Sequence, residues 1–192
     1  LDLRALVVNQ NPINSQSKLH QITGQLIMAK IKKGVFTQGT HVWIKHGEEG
    51  AVVLTKMMCI TGIVLGDDSP TDIPDTCLEE EDSATSTYGL NTPGEGSITI
   101  NTDPENATHI TLLQLADDRE GVEVFVGWSD GKIVPTLEAL TGVVTLPEGR
   151  TWTSFTALLK NSAPTFDPDS LVKHTVSMKR QSRAITAYKT TP

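Results

Sequence analysis

Basic residues are scarce in this chain, with 16 Lys and Arg against 23 Asp and Glu in 192 residues and a formal net charge of −7. That balance excludes a gripping nucleic-acid surface, which needs a basic face to displace counterions. It leaves room for nucleic acid that passes without sticking. Long apolar runs are also missing, since none approaches the roughly 20 residues of a membrane span. No charged-then-apolar leader precedes a small-residue cleavage site, which points to the cytoplasm. The two cysteines, Cys59 and Cys77, agree with that compartment, and both stand in apolar segments where buried free thiols are expected. Aromatic residues make up only 5%. Trp43, Trp128 and Trp152 fall one to a strand, as core residues do, rather than together as a sugar platform.

Reactive constellations are equally sparse. His20, His41, His46, His109 and His174 are scattered, with no pair at ligand spacing and no Cys–His set, so no zinc site is expected. The run Glu79, Glu80, Glu81, Asp82 lacks the alternating ligands and turn glycine of a calcium loop and reads as a solvated charge run. Gly94-Glu95-Gly96 is no phosphate loop, because no Lys-Ser/Thr pair follows it. Asn106-Ala107-Thr108 matches a glycosylation sequon by pattern only. No nucleophile, base and orienting group can be assembled. The chain reads as a non-enzyme without cofactor or metal.

The clearest positive signal runs from Gly94 to Gly131 and reads as strand, helix, strand. Ser97 to Asn101 alternates polar and apolar, as a half-buried strand does. Asp103 is expected to cap the helix, with Pro104 at its first position and Glu105 in the positive end of its dipole. Ala107, Ile110, Leu113 and Ala116 lie at helical spacing as the buried face, and Asp117, Asp118 and Gly121 end the helix. Val122, Val124, Val126 and Trp128 then share one strand face, with Glu123 and Phe125 opposite.

The rest of the chain follows an all-β pattern, and 192 residues suit a single core. Residues 1–27 have little periodicity, and Met28 resembles a natural start. They are expected to be an N-terminal extension, either non-native or mis-assigned sequence or an arm, dispensable for folding and assembly, ahead of a β domain over 28–183. Val42 to Ile44, Val52 to Leu54, Met57 to Leu65 and Ile73 to Leu78 are strand candidates, with Pro74 confining the last to an edge. Glu79 to Gly89 is too acidic and too poor in apolar residues to bury anything, so a long mobile loop is expected. Val143 to Leu146 and Thr151 to Leu159 are expected to form a hairpin through the Pro147-Glu148-Gly149 turn. Leu171 to Arg180 closes the fold, and residues 184–192 are expected as a polar tail.

An ordered series of segments resembles the major tail tube proteins of long, flexible-tailed (siphovirus-type) bacteriophages: KKGVFTQGTHVWI, GLNTPGEGSITINTDPENATH leading into LLQLAD, EVFVGWSDG, VTLPEGRTWTSFTALLKNSAPTF and DSLVKHTVSMKRQSR. The resemblance covers roughly Met28 to Arg183. It implies an all-β sandwich or barrel with one flanking α-helix, of the phage tail tube and type VI secretion tube type. It further implies homo-hexameric rings that stack into a hollow conduit for viral DNA, which transits without specific binding. A virion tail assembled in the bacterial host's cytoplasm follows, with tape measure protein and tail terminator as partners and no membrane. In such proteins the loop matching Glu79 to Thr92 reaches toward the next ring, so Glu79, Glu80, Glu81, Asp82, Tyr88 and Leu90 are the candidate inter-ring residues.

Two features of the residues themselves agree with that reading. Ser, Thr and Asn on one face of several strands suit a water-filled lumen better than a core. Residual negative charge repels phosphates near the wall, within a screening length of about 8 Å at physiological salt. Two other readings stay open: a carbohydrate-binding or adhesion β-sandwich, and a tail terminator or completion protein of related fold.

Overall fold

The computed structural model describes residues 34–48 and 50–190; the expectation for residues 1–27 lies outside them. In chain order the elements are β1 (His41–His46), β2 (Val53–Met57), β3 (Ile60–Val64), β4 (Ser69–Pro74), β5 (Ser86–Thr92), β6 (Glu95–Asn101), α1 (Ala107–Asp117), β7 (Gly121–Gly127), β8 (Thr136–Leu137), β9 (Val144–Thr145), β10 (Trp152–Lys160), β11 (Lys173–Arg180) and β12 (Ile185–Ala187). One antiparallel eight-stranded sheet dominates, in the order β2-β1-β7-β10-β11-β6-β3, with β12 also paired to β10. Two small ribbons, β4-β5 and β8-β9, stand apart from it.

The sheet curls so that one face of nearly every strand reaches a common core. Ile44, Ile98, Ile100, Leu112, Val124 and Val176 are wholly buried there, contributed by β1, β6, α1, β7 and β11. Each such side chain contributes about 1.5–3 kcal/mol by leaving water. The period-two pattern of β6 and β7 therefore has its expected cause, with Val122, Val124 and Val126 in this core. Phe125, on the opposite face, joins Trp43 and Trp152 in a second cluster, packed by Leu54, Val144 and Leu146.

The helix differs from its expected form at both ends. Asn106, not Asp103, is the N-cap, its side-chain oxygen accepting the Thr108 N–H at 3.1 Å. Asp103 instead closes a turn by accepting the Glu105 N–H at 3.0 Å, and Pro104 lies in that turn, before the helix. At the other end Arg119, at φ 56°, supplies the left-handed residue, and Gly121 already belongs to β7. The buried face is His109, Leu112, Leu115 and Ala116, while Ile110 is exposed and Leu113 only packs at the core's margin. The stripe turns because His109 is satisfied inside: its Nδ1 accepts the Asp103 N–H at 3.1 Å and its Nε2 donates to the Met58 carbonyl at 2.9 Å. A polar residue that finds both partners buries without penalty, so hydropathy alone misplaces the face.

Other boundaries move for local reasons. The apolar stretch Met57 to Leu65 breaks at a corner, where Cys59 takes φ 51° and the chain passes from β2 to β3. Both thiols are exposed rather than buried, Cys59 on this outward corner and Cys77 at the far end of the β4-β5 ribbon. Val144-Thr145 pairs with Thr136-Leu137, not with the strand after the Pro147 turn; β10 is taken between β7 and β11. Trp128 lies just past β7, half-buried, donating its indole N–H to Thr153 Oγ1 at 3.0 Å. The expected tail contains β12, which continues along the β10 edge after β11 ends. Residues 181–184 bulge between them, and Ser182 Oγ accepts the Thr156 N–H at 2.9 Å, so the β10 backbone stays satisfied.

Candidate assembly surface

Strands β3 and β4 run as one arm of a long bent hairpin, and β5 and β6 return as the other. Its lower half belongs to the main sheet. Its upper half, β4-β5, pairs only with itself among the described residues, and every β4 residue is exposed. A lone two-stranded ribbon is marginal in water, yet this one also carries apolar groups outward. Tyr88 is 79% exposed and Leu90 87%, with Ile73 and Leu78 also exposed.

The expected long loop is thus ribbon in its second part only. Ser86–Thr92 is strand β5, and β4 ends at Pro74 because the loop proper spans 75–85. That loop is closed by Thr76, whose Oγ1 donates to the Thr85 carbonyl at 3.0 Å and accepts the Thr85 N–H at 2.8 Å. Glu79, Glu80, Glu81 and Asp82 all sit exposed on it, at the opposite end of the ribbon from the main sheet. Asp103, Pro104, Ile110, Leu113 and Trp128 belong elsewhere, to α1, its approach and the β7 exit.

The hairpin bends where its two strands nearly touch. A Cβ on Gly66 would stand 2.1 Å from the Glu95 carbonyl oxygen, and one on Gly94 would stand 2.2 Å from that of Asp67. Gly66 also takes φ +73°, a conformation costly for any other residue. The ribbon's direction is therefore written into backbone contacts.

The outward face of β6 and β11 carries short hydroxyl side chains at its centre. In register across β6 and β11, Ser97 faces Ser177, Thr99 faces Thr175, and Asn101 faces Lys173, while Gly62 of β3 lies against Thr99. This is the Ser, Thr and Asn face legible in the sequence. The sheet also leaves β2 and β3 with one unpaired edge each, the kind of edge that another chain's strand or loop covers.

Sequence reasoning missed Arg150, which is 1% exposed. Its guanidinium stands beside the Trp43 and Trp152 rings, 5.3 and 5.2 Å from their centroids. It donates to the carbonyls of Trp128 at 2.6 Å, Gly127 at 2.5 Å, Gly39 at 3.2 Å and Ile133 at 3.2 Å. One cation thereby ties the β1 approach, the β7 exit and the segment before β8 to the second core. The only signal in the sequence was an Arg two residues before a Trp in a strand. Trp43 and Trp152 are buried with it, which removes them as a sugar-binding platform. Among the described residues no three His, Cys, Asp or Glu side chains are placed to share a metal ion.

Arg150 Nη1 also donates to His41 Nδ1 at 3.3 Å, which requires a neutral imidazole. Burial, then Lys56 and Arg150, hold the His41 pKa below its ordinary value near 6.5. Nearby Asp130 accepts the Thr151 N–H at 3.1 Å and its hydroxyl at 2.5 Å. Burial raises its pKa, but those hydrogen bonds and Lys189 outweigh it and hold the carboxyl below 3.8. In both cases the unfolded chain binds the proton more readily. The His41 contribution is present above pH 6.5 and lost as pH falls toward its folded value; that of Asp130 is lost only below 3.8. Urea midpoints measured from about pH 7.5 to about pH 5, the range of His titration, should fall for the native chain and fall less steeply for His41→Gln. Parallel profiles would show that His41 is not the responsible group.

A family model described as phage tail tube, TTP, lambda-like, matches residues 33–190. Structural protein 3 of Pseudomonas phage PAJU2 is 29% identical over 160 residues, covering 82% of this chain and 96% of that protein. Among solved structures, the SPP1 tail tube aligns with a TM-score of 0.57 at 5% identity, over 80% of this chain and 78% of that one. The sheath–tube complex of the extracellular contractile injection system PVC aligns at 0.53 and 10% identity, over 82% and 94%. These likenesses show the fold: an all-β tube subunit with one helix. The chain belongs to the lambda-like phage tail tube family and is a structural protein of a phage tail.

Proposed function

We propose that the chain forms homo-hexameric rings that stack into the hollow tube of a virion tail, and that the β4-β5 ribbon makes the contact between rings. The ribbon carries this reading. Among the described residues it pairs with no strand of the main sheet, yet it turns Ile73, Leu78, Tyr88 and Leu90 to solvent. A neighbouring ring gives those groups a place to bury, with the acidic tip from Glu79 to Asp82 steering the approach. The hydroxyl face of β6 and β11 is the candidate inner wall, joined from subunit to subunit into a continuous barrel. Short neutral hydroxyls at its centre hold water, and its two lysines, Lys173 and Lys179, stand at the strand ends, Lys179 opposite Glu95, so viral DNA slides past without being captured. Tape measure protein and tail terminator are the expected partners, assembly takes place in the host cytoplasm, and no catalytic role is assigned. Negative-stain electron microscopy of the full chain across salt and protein concentration should show six-fold rings or tubes. Monodisperse monomer under every condition would overturn the proposal.

A further inference from the structure

Arg180 ends the core-facing row of β11 that contains Val176 and Met178. It is 3% exposed, and it reaches away from the core toward the bend of the long hairpin. Its Nη2 donates to the Gly66 carbonyl at 3.0 Å and pairs with the Asp68 carboxylate. Asp68 Oδ1 in turn accepts the Gly94 N–H at 3.3 Å. Arg180 Nε is buried with no acceptor among the described residues, so its side-chain hydrogen bonding goes wholly to the segment Gly66 to Asp68.

A guanidinium is costly to bury, and an apolar residue of similar size often supports a core as well or better. What an apolar residue cannot do is hold both strands of the hairpin at once. The Asp68 carboxylate touches the β5-β6 junction through Gly94 and the end of β11 through Arg180. Gly66 and Gly94 bring the strands close, but glycine backbone also rotates freely. The charged pair removes that freedom at the one place where the ribbon leaves the sheet.

We infer that Arg180 and Asp68 are positioning residues for assembly: they fix the angle at which the β4-β5 ribbon leaves the domain, and so aim its exposed apolar groups at the neighbouring ring. The inference rests on the stacking role proposed for the ribbon. Its test uses the native thiols, since the sequence has only two cysteines and both are exposed. Cys59 sits on the β2-β3 corner of the domain and Cys77 in the ribbon's loop. Spin labels on the two, in the full chain held monomeric at low concentration, report the ribbon angle by electron–electron resonance.

The native protein should give one narrow distance peak. Asp68→Ala with Arg180→Met removes both charges together, so no unpaired ion is left buried. This double variant should keep its thermal transition, lose the narrow peak and lose tube formation. Asp68→Asn, which keeps an acceptor for Gly94 and Arg180, should restore much of both. An unchanged narrow peak in the double variant overturns the latch. A lost peak with normal tubes overturns the pair's role in assembly. Ribbon shortening then separates the two ideas: if it blocks tubes, only the latch has failed, and if it does not, the stacking role has failed with it.

Discussion

Replacing Arg150 by methionine is expected to destabilise the domain by about 3–5 kcal/mol, the range for removing one partner from a buried charged network. The cause is not the lost charge alone. Four carbonyls, of Gly39, Gly127, Trp128 and Ile133, lose their donor together, and an unsatisfied buried acceptor costs about 1–3 kcal/mol. Water reaches some of them, which keeps the total below the simple sum. The Trp43 and Trp152 rings also lose the cation beside them, a contact of about 0.5–2 kcal/mol. For a chain of this size the melting temperature should fall by roughly 10 °C, read by differential scanning calorimetry. Arg150→Lys should recover only part, because an ammonium is not a planar fork and cannot reach several carbonyls at once. A lysine variant as stable as the native protein would show that charge, not geometry, holds this end of the sheet.

Shortening the ribbon by deleting Glu80 to Ser86 should abolish tubes while leaving a folded monomer. The main core draws on no residue of β4 or β5, so the fold does not depend on the ribbon. Assembly is expected to depend on it strongly. Ordering a backbone residue costs about 1–2 kcal/mol, and exposed ion pairs return about 0–1 kcal/mol each, so the acidic tip cannot drive docking. Burial of Tyr88, Leu90 and Ile73, at about 1.5–3 kcal/mol for a fully buried side chain, is the favourable term, and it repeats at every subunit. Replacing Glu79, Glu80 and Glu81 by Gln should therefore act weakly, shifting mainly the salt dependence of polymerisation. Sedimentation and micrographs check both. Normal tubes from the shortened chain would place the stacking contacts elsewhere.

What was legible in the sequence was periodicity and order. Ile98 and Ile100, or Val122, Val124 and Val126, alternate in the chain and land in one core. The hydroxyl face could be read the same way, because a strand's two faces separate residue by residue. Illegible were the features set by long-range partners. Nothing local to His109 says that the Met58 carbonyl and the Asp103 N–H await it inside. Nothing local to Arg150 announces carbonyls from three distant segments. The acidic stretch after Leu78 was read as a loop because charge and low hydropathy suit one. Its second half became β5 because β4 stands beside it, and pairing overrides local propensity. The thiols misled for a related reason: an apolar neighbourhood in sequence is not a buried one when the chain turns a corner at Cys59.

The distribution of aromatic residues has an optical consequence. Trp43 and Trp152 lie 5.3 Å apart at a 54° tilt, and Trp128 lies edge-on to Tyr188. All three indoles of the chain are thus gathered near one end of the sheet, outside the ribbon. The remaining tyrosine, Tyr88, projects from the ribbon itself. Near-ultraviolet dichroism and tryptophan emission, which follow tertiary packing, therefore track folding of the domain, while under the proposed stacking the Tyr88 phenol is the group expected to report docking. Folding and polymerisation, usually tangled in a self-assembling protein, carry separate chromophores here.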